Sequence, residues 1–151
     1  MTPPRTLSPS KVASFTQCAL KFRYTAIDKL PEPPTEAATK GTLVHAALER
    51  LFTLEQAART HDAARVCLTD AIESIRSDDE FTGLGLDASG EADFFADAAV
   101  LVDNYLEMED PTTIRPIGIE AMVEVPRSGY SIRGIIDRLE PVRRGVYGGT
   151  V

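Results

Sequence analysis

The spacing of apolar residues changes once along this chain, and that change limits the folds available to it. Before residue 109 apolar side chains recur every three or four positions, which is the spacing of an amphipathic helix. From Ile117 to Val125 every second residue is apolar, which is typical of a β-strand. Arg127-Ser128-Gly129 then predicts a turn, and Tyr130 to Leu139 a return strand. The chain is therefore expected to be mainly helical over its first two-thirds and to continue into a β-hairpin.

Four helices are predicted in the first part, each with apolar residues that could be buried against the others. Their approximate bounds are Ser8 or Ser10 to Ile27, Thr39 to Phe52, Leu54 to Ile75 and Glu91 to Met108. Three prolines between Leu30 and Pro34 interrupt the pattern, because proline cannot continue a helix. A second interruption, rich in Gly and Asp, runs from Phe81 to Ser89.

Composition and length are those of one soluble domain. The 151 residues are 43% hydrophobic and 26% charged, which argues against disorder. No apolar run could cross a bilayer, and the first residues do not form a signal-peptide core, so the cytoplasm is the expected location. No Walker-type phosphate-binding segment is present, so no nucleotide-binding site is expected. Cys18 and Cys67 lie too far apart to read as a zinc motif.

Charge is distributed unevenly along the chain. The formal net charge of -7 argues against a nucleic-acid partner, because phosphate binding depends on Lys and Arg. Yet Met1 to Lys29 holds five basic residues against one acid, whereas Asp70 to Asp110 holds thirteen acids against one base. The first segment could face phosphates, and the second is expected to face solvent.

Two residues could carry chemistry, and each has a simpler structural explanation. Asp137 shares its predicted strand face with Ile135 and Leu139, so its carboxylate is expected to lie among apolar neighbours and to need a partner. That partner could be an arginine or a divalent metal ion, since Mg²⁺ and Mn²⁺ prefer oxygen ligands. His45 lies at the edge of the apolar stripe of the second helix. It could be a buried histidine whose ring nitrogens are hydrogen-bonded within the core, or it could be a metal ligand.

Three segments carry residue patterns that occur together, in this order, in one group of proteins. Leu7 to Ser10 followed by Phe15 to Phe22 is similar to an opening S-x-S … C-P-x-x-F signature, with Ala19 at the usual proline. Lys40 to Glu49 (KGTLVHAALE) resembles a motif in which a glycine-led helix presents a histidine. Gly134 to Arg138 resembles a G-x-x-D-R strand. Together they resemble the nuclease domain of PD-(D/E)XK proteins, closest to the RecB-family (RecB/AddB-like) exonucleases.

The resemblance implies a DNA exonuclease of repair or recombination that uses Mg²⁺ or Mn²⁺. It implies that His45 and Asp137 are catalytic metal-site residues. Glu120 resembles a recurrent acidic position that either supports the metal site or faces solvent, with solvent slightly favoured. DNA is the implied partner, with possible phosphate contacts at Lys11, Lys21, Arg23, Lys40 and Arg138. Any helicase would be a separate chain.

The resemblance also implies a further strand bearing D/E-x-K, which this sequence lacks. The last lysine is Lys40, and after Leu139 come Pro141 and an Arg- and Gly-rich tail that does not alternate like a strand. The expected fold is therefore α/β, or α+β at this length: an incomplete restriction-endonuclease-like core, 1–151, truncated before the catalytic lysine. The hairpin is expected to lack neighbouring strands and to expose an edge. In many relatives the cysteine that corresponds to Cys18 binds a 4Fe-4S cluster together with three later cysteines. This sequence lacks those three, so no cluster is expected here.

Three functional hypotheses follow. The first is a fragment of a RecB-like exonuclease, inactive without the lysine strand. The second is a catalytically dead DNA-binding or regulatory module of the same fold. The third is a helical interaction protein in which His45 and Asp137 are only structural. Metal binding that depends on Asp137 would exclude the third.

Overall fold

The structure is a computed structural model that describes residues 4–141. Its six α-helices are α1 (Pro9–Gln17), α2 (Ala19–Phe22), α3 (Glu36–Thr53), α4 (His61–Ile75), α5 (Asp79–Thr82) and α6 (Ala88–Met108). Its strands are β1 (Thr6–Leu7), β2 (Gly118–Arg127) and β3 (Tyr130–Leu139). The predicted mainly helical α+β architecture is confirmed within this range. The Arg- and Gly-rich tail lies outside the described residues.

The predicted helices are present, but the second and fourth begin three residues earlier than predicted, and the first and third differ more. The first helix is interrupted at Cys18, which is extended (φ -160°, ψ 109°) and whose thiol accepts a hydrogen bond from the Lys21 N–H. The π-helical turn Arg23–Ile27 continues it to the predicted end. The third helix begins at His61 because the Thr60 hydroxyl caps it by accepting from the Ala63 N–H. The chain before it forms a short 3-10 turn instead.

The hydrophobic core lies between α3, α4 and α6. The apolar stripe of α3 supplies Leu43, Ala47 and Leu51, and all three are almost fully buried. Small residues on the facing helices, such as Ala64 and Ala98, allow the helix axes to approach closely. A cluster of Phe81, Phe94 and Phe95 closes one end. None of the helices in residues 4–141 is long and apolar enough to cross a membrane.

The three strands form one sheet in the order β1-β3-β2. The β2–β3 hairpin was predicted, and it turns at Gly129, whose φ of 88° suits glycine. The expectation that the hairpin would have no neighbouring strand is wrong, since β1 pairs in parallel with β3 through Thr6–Ser131 and Leu7–Ile132. A two-residue strand gives almost no periodic signal in a sequence, which explains why it was missed.

Two arginines attach the hairpin to the helices. The buried Arg59 guanidinium donates to the Ile114 carbonyl at 2.9 Å, just before β2, and to the Phe52 carbonyl at 3.2 Å, on α3. Arg138 on β3 donates to both carboxylate oxygens of Glu109, directly after α6, and packs over the Phe52 ring. These contacts fix how β3 approaches α3, and therefore how the site between them is built.

Candidate metal centre

His45 projects from the side of α3 that faces Glu120 on β2 and Asp137 on β3. Its neighbours at positions 43, 47 and 51 are buried, whereas the His45 side chain stays partly exposed. It is therefore not a core histidine. Because α3 is packed along its length against α4 and α6, the imidazole is held on a rigid element.

The carboxylates of Glu120 and Asp137 lie opposite each other on the hairpin. The register pairs Ile119 with Arg138 and Ala121 with Ile136, which sets Glu120 across from Asp137. Asp137 was expected to be buried among apolar neighbours, and this is wrong: its side chain is 74% exposed. No arginine pairs with it among residues 4–141, where its ionic contact is with His45.

The three side chains converge on one point. The His45 Nε2 atom lies 3.2 Å from Glu120 Oε1 and 3.2 Å from Asp137 Oδ1. One ligand atom from each residue lies within 4.8 Å of the other two. Glu120 was expected, by a small margin, to face solvent, but its side chain is turned toward His45 and is only 29% exposed.

These short contacts are not hydrogen bonds. None joins His45 to either carboxylate with acceptable geometry, and the buried Glu120 Oε1 atom has no hydrogen-bond partner in the described structure. A buried carboxylate oxygen without a partner is costly, so it requires an explanation. A cation bound among these three ligand atoms, which lie within 4.8 Å of one another, would supply such a partner.

Glu120 also has an unusual backbone. Its φ is 49°, in the left-handed region that residues with a Cβ rarely adopt. The ladder contacts on either side are regular, so the distortion is confined to this residue and coincides with the gap in pairing opposite Asp137. Strain of about 1–3 kcal/mol at such a position persists only where the surroundings enforce it, and it is commonest at functional sites.

A cavity of about 610 Å³ opens beside the three ligand atoms. Its wall includes Phe52 on α3, Tyr105 on α6 and Ile135 on β3. Glu109 and Arg138 close one side as an ion pair, and Tyr105 hydrogen-bonds to both. The Arg138 guanidinium lowers the pKa of Glu109, whereas burial raises the pKa of the Tyr105 hydroxyl. The sequence did not point to Tyr105 or Glu109, because their role depends on contacts about thirty positions away.

The basic residues proposed for DNA are not gathered at this cavity. The Lys40 amine contacts Asp97 at 2.6 Å and lies over the Phe94 ring, and Arg23 pairs with Asp28 at 3.1 Å. Arg138 is at the cavity, but it is engaged by Glu109.

Lys11 and Lys21 lie on α1 and α2, where Lys21 is exposed and Lys11 is half-buried. Cys18, on the exposed surface, lies between these short helices. Cys67 is buried in the core, and this burial raises the pKa of its thiol.

Comparison with protein families agrees with this arrangement. A family model for the PD-(D/E)XK nuclease superfamily matches residues 6–147, almost the whole chain. The chain belongs to the PD-(D/E)XK nuclease superfamily. Searches of curated proteins and of solved structures gave no significant match. Membership supports a nuclease-like function with DNA as the substrate.

The donor set fits a divalent cation. PD-(D/E)XK nucleases generally use divalent metals, and one imidazole nitrogen with two carboxylate oxygens is a suitable partial shell. Two ligands at right angles on an ion with bonds of about 2.1 Å are about 3.0 Å apart. The two separations of 3.2 Å from His45 Nε2 are close to that value. The cavity beside them leaves room for water and a phosphate.

Proposed function

We propose that this chain supplies the metal-binding part of a RecB-like DNA exonuclease of repair or recombination. His45, Glu120 and Asp137 would hold one divalent ion, Mg²⁺ or Mn²⁺, beside the scissile phosphate. The observation that carries the proposal is the convergence of these three ligand atoms without a hydrogen bond among them. The RecB-type motifs in the sequence support the exonuclease class, and a cytoplasmic location remains a prediction from sequence.

The imidazole ligand favours Mn²⁺ over Mg²⁺ in affinity. Mg²⁺ prefers oxygen ligands and keeps several waters, whereas Mn²⁺ accepts imidazole nitrogen more readily. We therefore expect this chain to bind Mn²⁺ more tightly than Mg²⁺. Magnesium would still be compatible with the site, because two of the three ligand atoms are carboxylate oxygens.

A phosphate could bind beside Glu120 and Asp137 only if a metal ion first offsets their negative charge. Glu120 and Asp137 place two negative charges at the cavity, and a phosphate brought beside them would be repelled. When bound, a divalent ion would neutralise that local charge, polarise the phosphoryl oxygen and lower the pKa of a coordinated water. His45 would contribute the lone pair of Nε2 to the ion.

A second hypothesis, a DNA-binding or regulatory module without catalysis, is favoured by the cations around the site. The 151 residues contain no lysine after Lys40, and the Lys40 amine is paired with Asp97. Among the described residues that line the cavity the only Arg or Lys is Arg138, which Glu109 engages. Within residues 4–141, no unengaged basic side chain thus lines the cavity to stabilise charge developing on the phosphate. We therefore propose that this chain alone binds metal but cleaves DNA weakly or not at all.

Metal titration tests the site directly. Mn²⁺ binding is measured by isothermal titration calorimetry on the wild type and on Asp137→Asn, Glu120→Gln and His45→Ala. Loss of one ligand should weaken binding at least tenfold. Glu124→Gln is the matched control, because Glu124 is an exposed carboxylate four residues further along β2. Affinity that is unchanged in Asp137→Asn and Glu120→Gln would exclude the metal centre and support a purely structural role.

A nuclease assay separates the two hypotheses once the metal site is established. Labelled linear DNA is incubated with the wild type and Mn²⁺, and Asp137→Asn serves as the background control. Cleavage that disappears in Asp137→Asn would show that the chain itself is an enzyme. Metal binding and DNA binding without cleavage would support the binding or regulatory module.

A further inference from the structure

A second cavity, here called the N-terminal cleft, lies between β1, α1 and the start of β3. It has a volume of about 590 Å³, and Val12, Phe15 and Phe22 form much of its apolar wall. Tyr130 lines it from the first position of β3, and Arg5 and Lys11 add two positive charges. The cleft is separate from the metal centre, since the two cavities have no lining residue in common.

The aromatic rings of the cleft are available to a ligand. Phe15 is 57% exposed and Tyr130 is 43% exposed, although both are large rings that folding usually buries. Phe15 packs edge to face against the buried Phe22, with ring centroids 5.4 Å apart and an interplanar angle of 84°. This contact orients the Phe15 ring from one side. An ordered, exposed aromatic ring is a surface on which a flat base can stack.

The charged side chains that line the cleft itself, Arg5 and Lys11, are both basic. Among residues 4–141 no acidic residue lines it, in a chain whose net charge is -7. The Lys11 amine donates to the Thr6 carbonyl at 3.2 Å, which leaves two of its three N–H groups for other acceptors. A neighbouring groove shares Arg5 and Tyr130 with the cleft and adds Arg127, again without an acid. Three cations beside exposed aromatic rings match a polyanion that carries flat apolar groups.

From this combination we propose that the N-terminal cleft binds single-stranded DNA. An unpaired base stacks on Phe15 or Tyr130, and the adjoining phosphates contact Arg5, Lys11 and Arg127. An apolar protein segment would use the rings but not the three cations. A duplex would use the cations but not the rings, because its bases are already stacked.

The position of the cleft suits a strand that also reaches the metal centre. Tyr130 and Asp137 lie seven residues apart on β3, or about 23 Å at about 3.3 Å per residue. That span equals about seven nucleotides at the duplex spacing of about 3.4 Å, and fewer for an extended strand. The choice of DNA as ligand rests on the proposed function. The cleft would then hold the single-stranded segment while the metal centre contacts a phosphate further along.

Binding is tested with the full chain in EDTA, so that neither metal binding nor cleavage contributes. Fluorescence anisotropy measures the affinity for labelled oligothymidylate and for a duplex of equal length at one low salt concentration. Tyr130→Leu and Phe15→Leu keep apolar bulk but remove the ring, and each should weaken single-strand binding about tenfold. Tyr130→Phe keeps the ring and should bind like the wild type. Arg65→Gln, which removes an exposed charge on α4, is the control for net charge.

The outcomes separate this proposal from the proposed metal centre. Tighter binding of the single strand, reduced in both leucine variants and kept in Tyr130→Phe, supports the cleft. It is overturned if the leucine variants bind like the wild type, if duplex binds equally well, or if no DNA binds. Mn²⁺ titration without DNA judges the metal centre independently. Circular dichroism melting checks that each variant is folded. If Phe15→Leu is unstable, the comparison of Tyr130→Leu with Tyr130→Phe decides whether the cleft binds DNA.

Discussion

The helical body and the hairpin contribute to one site but are held together in different ways. The body, formed by α3, α4 and α6, surrounds a continuous buried core. No residue of β2 or β3 is buried, and many of their apolar side chains are exposed. His45 belongs to the first region, whereas Glu120 and Asp137 belong to the second. The candidate metal centre thus joins an imidazole on a well-packed helix to two carboxylates on a lightly supported hairpin.

The two regions therefore fix the positions of the three candidate ligands in different ways. The position of His45 follows from the core, because α3 cannot rotate without exposing Leu43 and Leu51. The hairpin has no equivalent core contact, so its place depends on the polar contacts of Arg59 and Arg138. A bound metal ion would add a third link, and we expect metal binding to rigidify the hairpin more than the body.

The largest expected effect is the loss of a core side chain from the body. Leu51 is 0% exposed between α3 and its neighbours, so Leu51→Ala should lower the free energy of unfolding by about 2–5 kcal/mol. Ile136→Ala on β3 is the hairpin counterpart. Ile136 is 38% exposed, so its truncation should cost only about 1.5 kcal/mol. Urea unfolding followed by circular dichroism measures both free energies. Equal losses would show that the hairpin depends on buried apolar side chains as much as the body does.

The same contrast explains what could be predicted from the sequence. The long helices and the hairpin have regular apolar periods, and their existence and order were predicted from those periods. The interruption at Cys18 and the two-residue β1 depend on single hydrogen bonds and a distant partner, Ser131, so no local period indicates them. Burial on the hairpin could not be predicted either. The alternation of apolar residues shows that two faces differ, but not what covers them.

The candidate site was predicted in part for the same reason. His45 and Asp137 stand in motifs, whereas Glu120 was only weakly indicated and was slightly favoured to face solvent. Its turn toward His45 depends on a left-handed backbone that glutamate does not favour, so no propensity predicts it. The engagement of Arg138 by Glu109 joins positions 29 residues apart, and the motif alone suggested a DNA contact instead.

The next effect concerns the Arg138–Glu109 contact. Arg138→Met keeps an apolar stem of similar thickness but removes the guanidinium that donates to both oxygens of Glu109, which should cost about 1–3 kcal/mol. The loss should be local: hydrogen exchange should accelerate in β2 and β3 before α3 and α6, and Mn²⁺ affinity should fall. Arg133→Met on the same strand removes only an exposed pair with Glu124 and should change stability by less than about 1 kcal/mol. Uniform acceleration of exchange would show that the hairpin and body unfold together.

A smaller effect, of opposite sign, is expected at Glu120. Asparagine adopts the left-handed conformation more readily than glutamate, so Glu120→Asn should raise the stability of the metal-free chain by about 1 kcal/mol. Mn²⁺ affinity should fall in the same variant. Glu124→Asn is the matched control, because Glu124 lies on the same strand without a positive φ and gains nothing from asparagine. Equal stability changes in the two variants would show that the Glu120 backbone is not strained.

The smallest effect should appear in the dependence of stability on pH. Arg138 lowers the pKa of Glu109, so the folded state favours the ionised carboxylate; this contribution is complete above the usual pKa of 4.5 and is lost as the pH falls below it. Ser131 and Arg133 also lower the pKa of Glu124, but that carboxylate is exposed to solvent, where screening weakens such contacts. In Glu109→Gln, the melting temperature of the metal-free chain should therefore fall less than in the wild type as the pH is lowered. Glu124→Gln should leave that fall almost unchanged, and a larger effect from Glu124 would mean that the hairpin is held by its own cross-strand pairs rather than by its contact with α6.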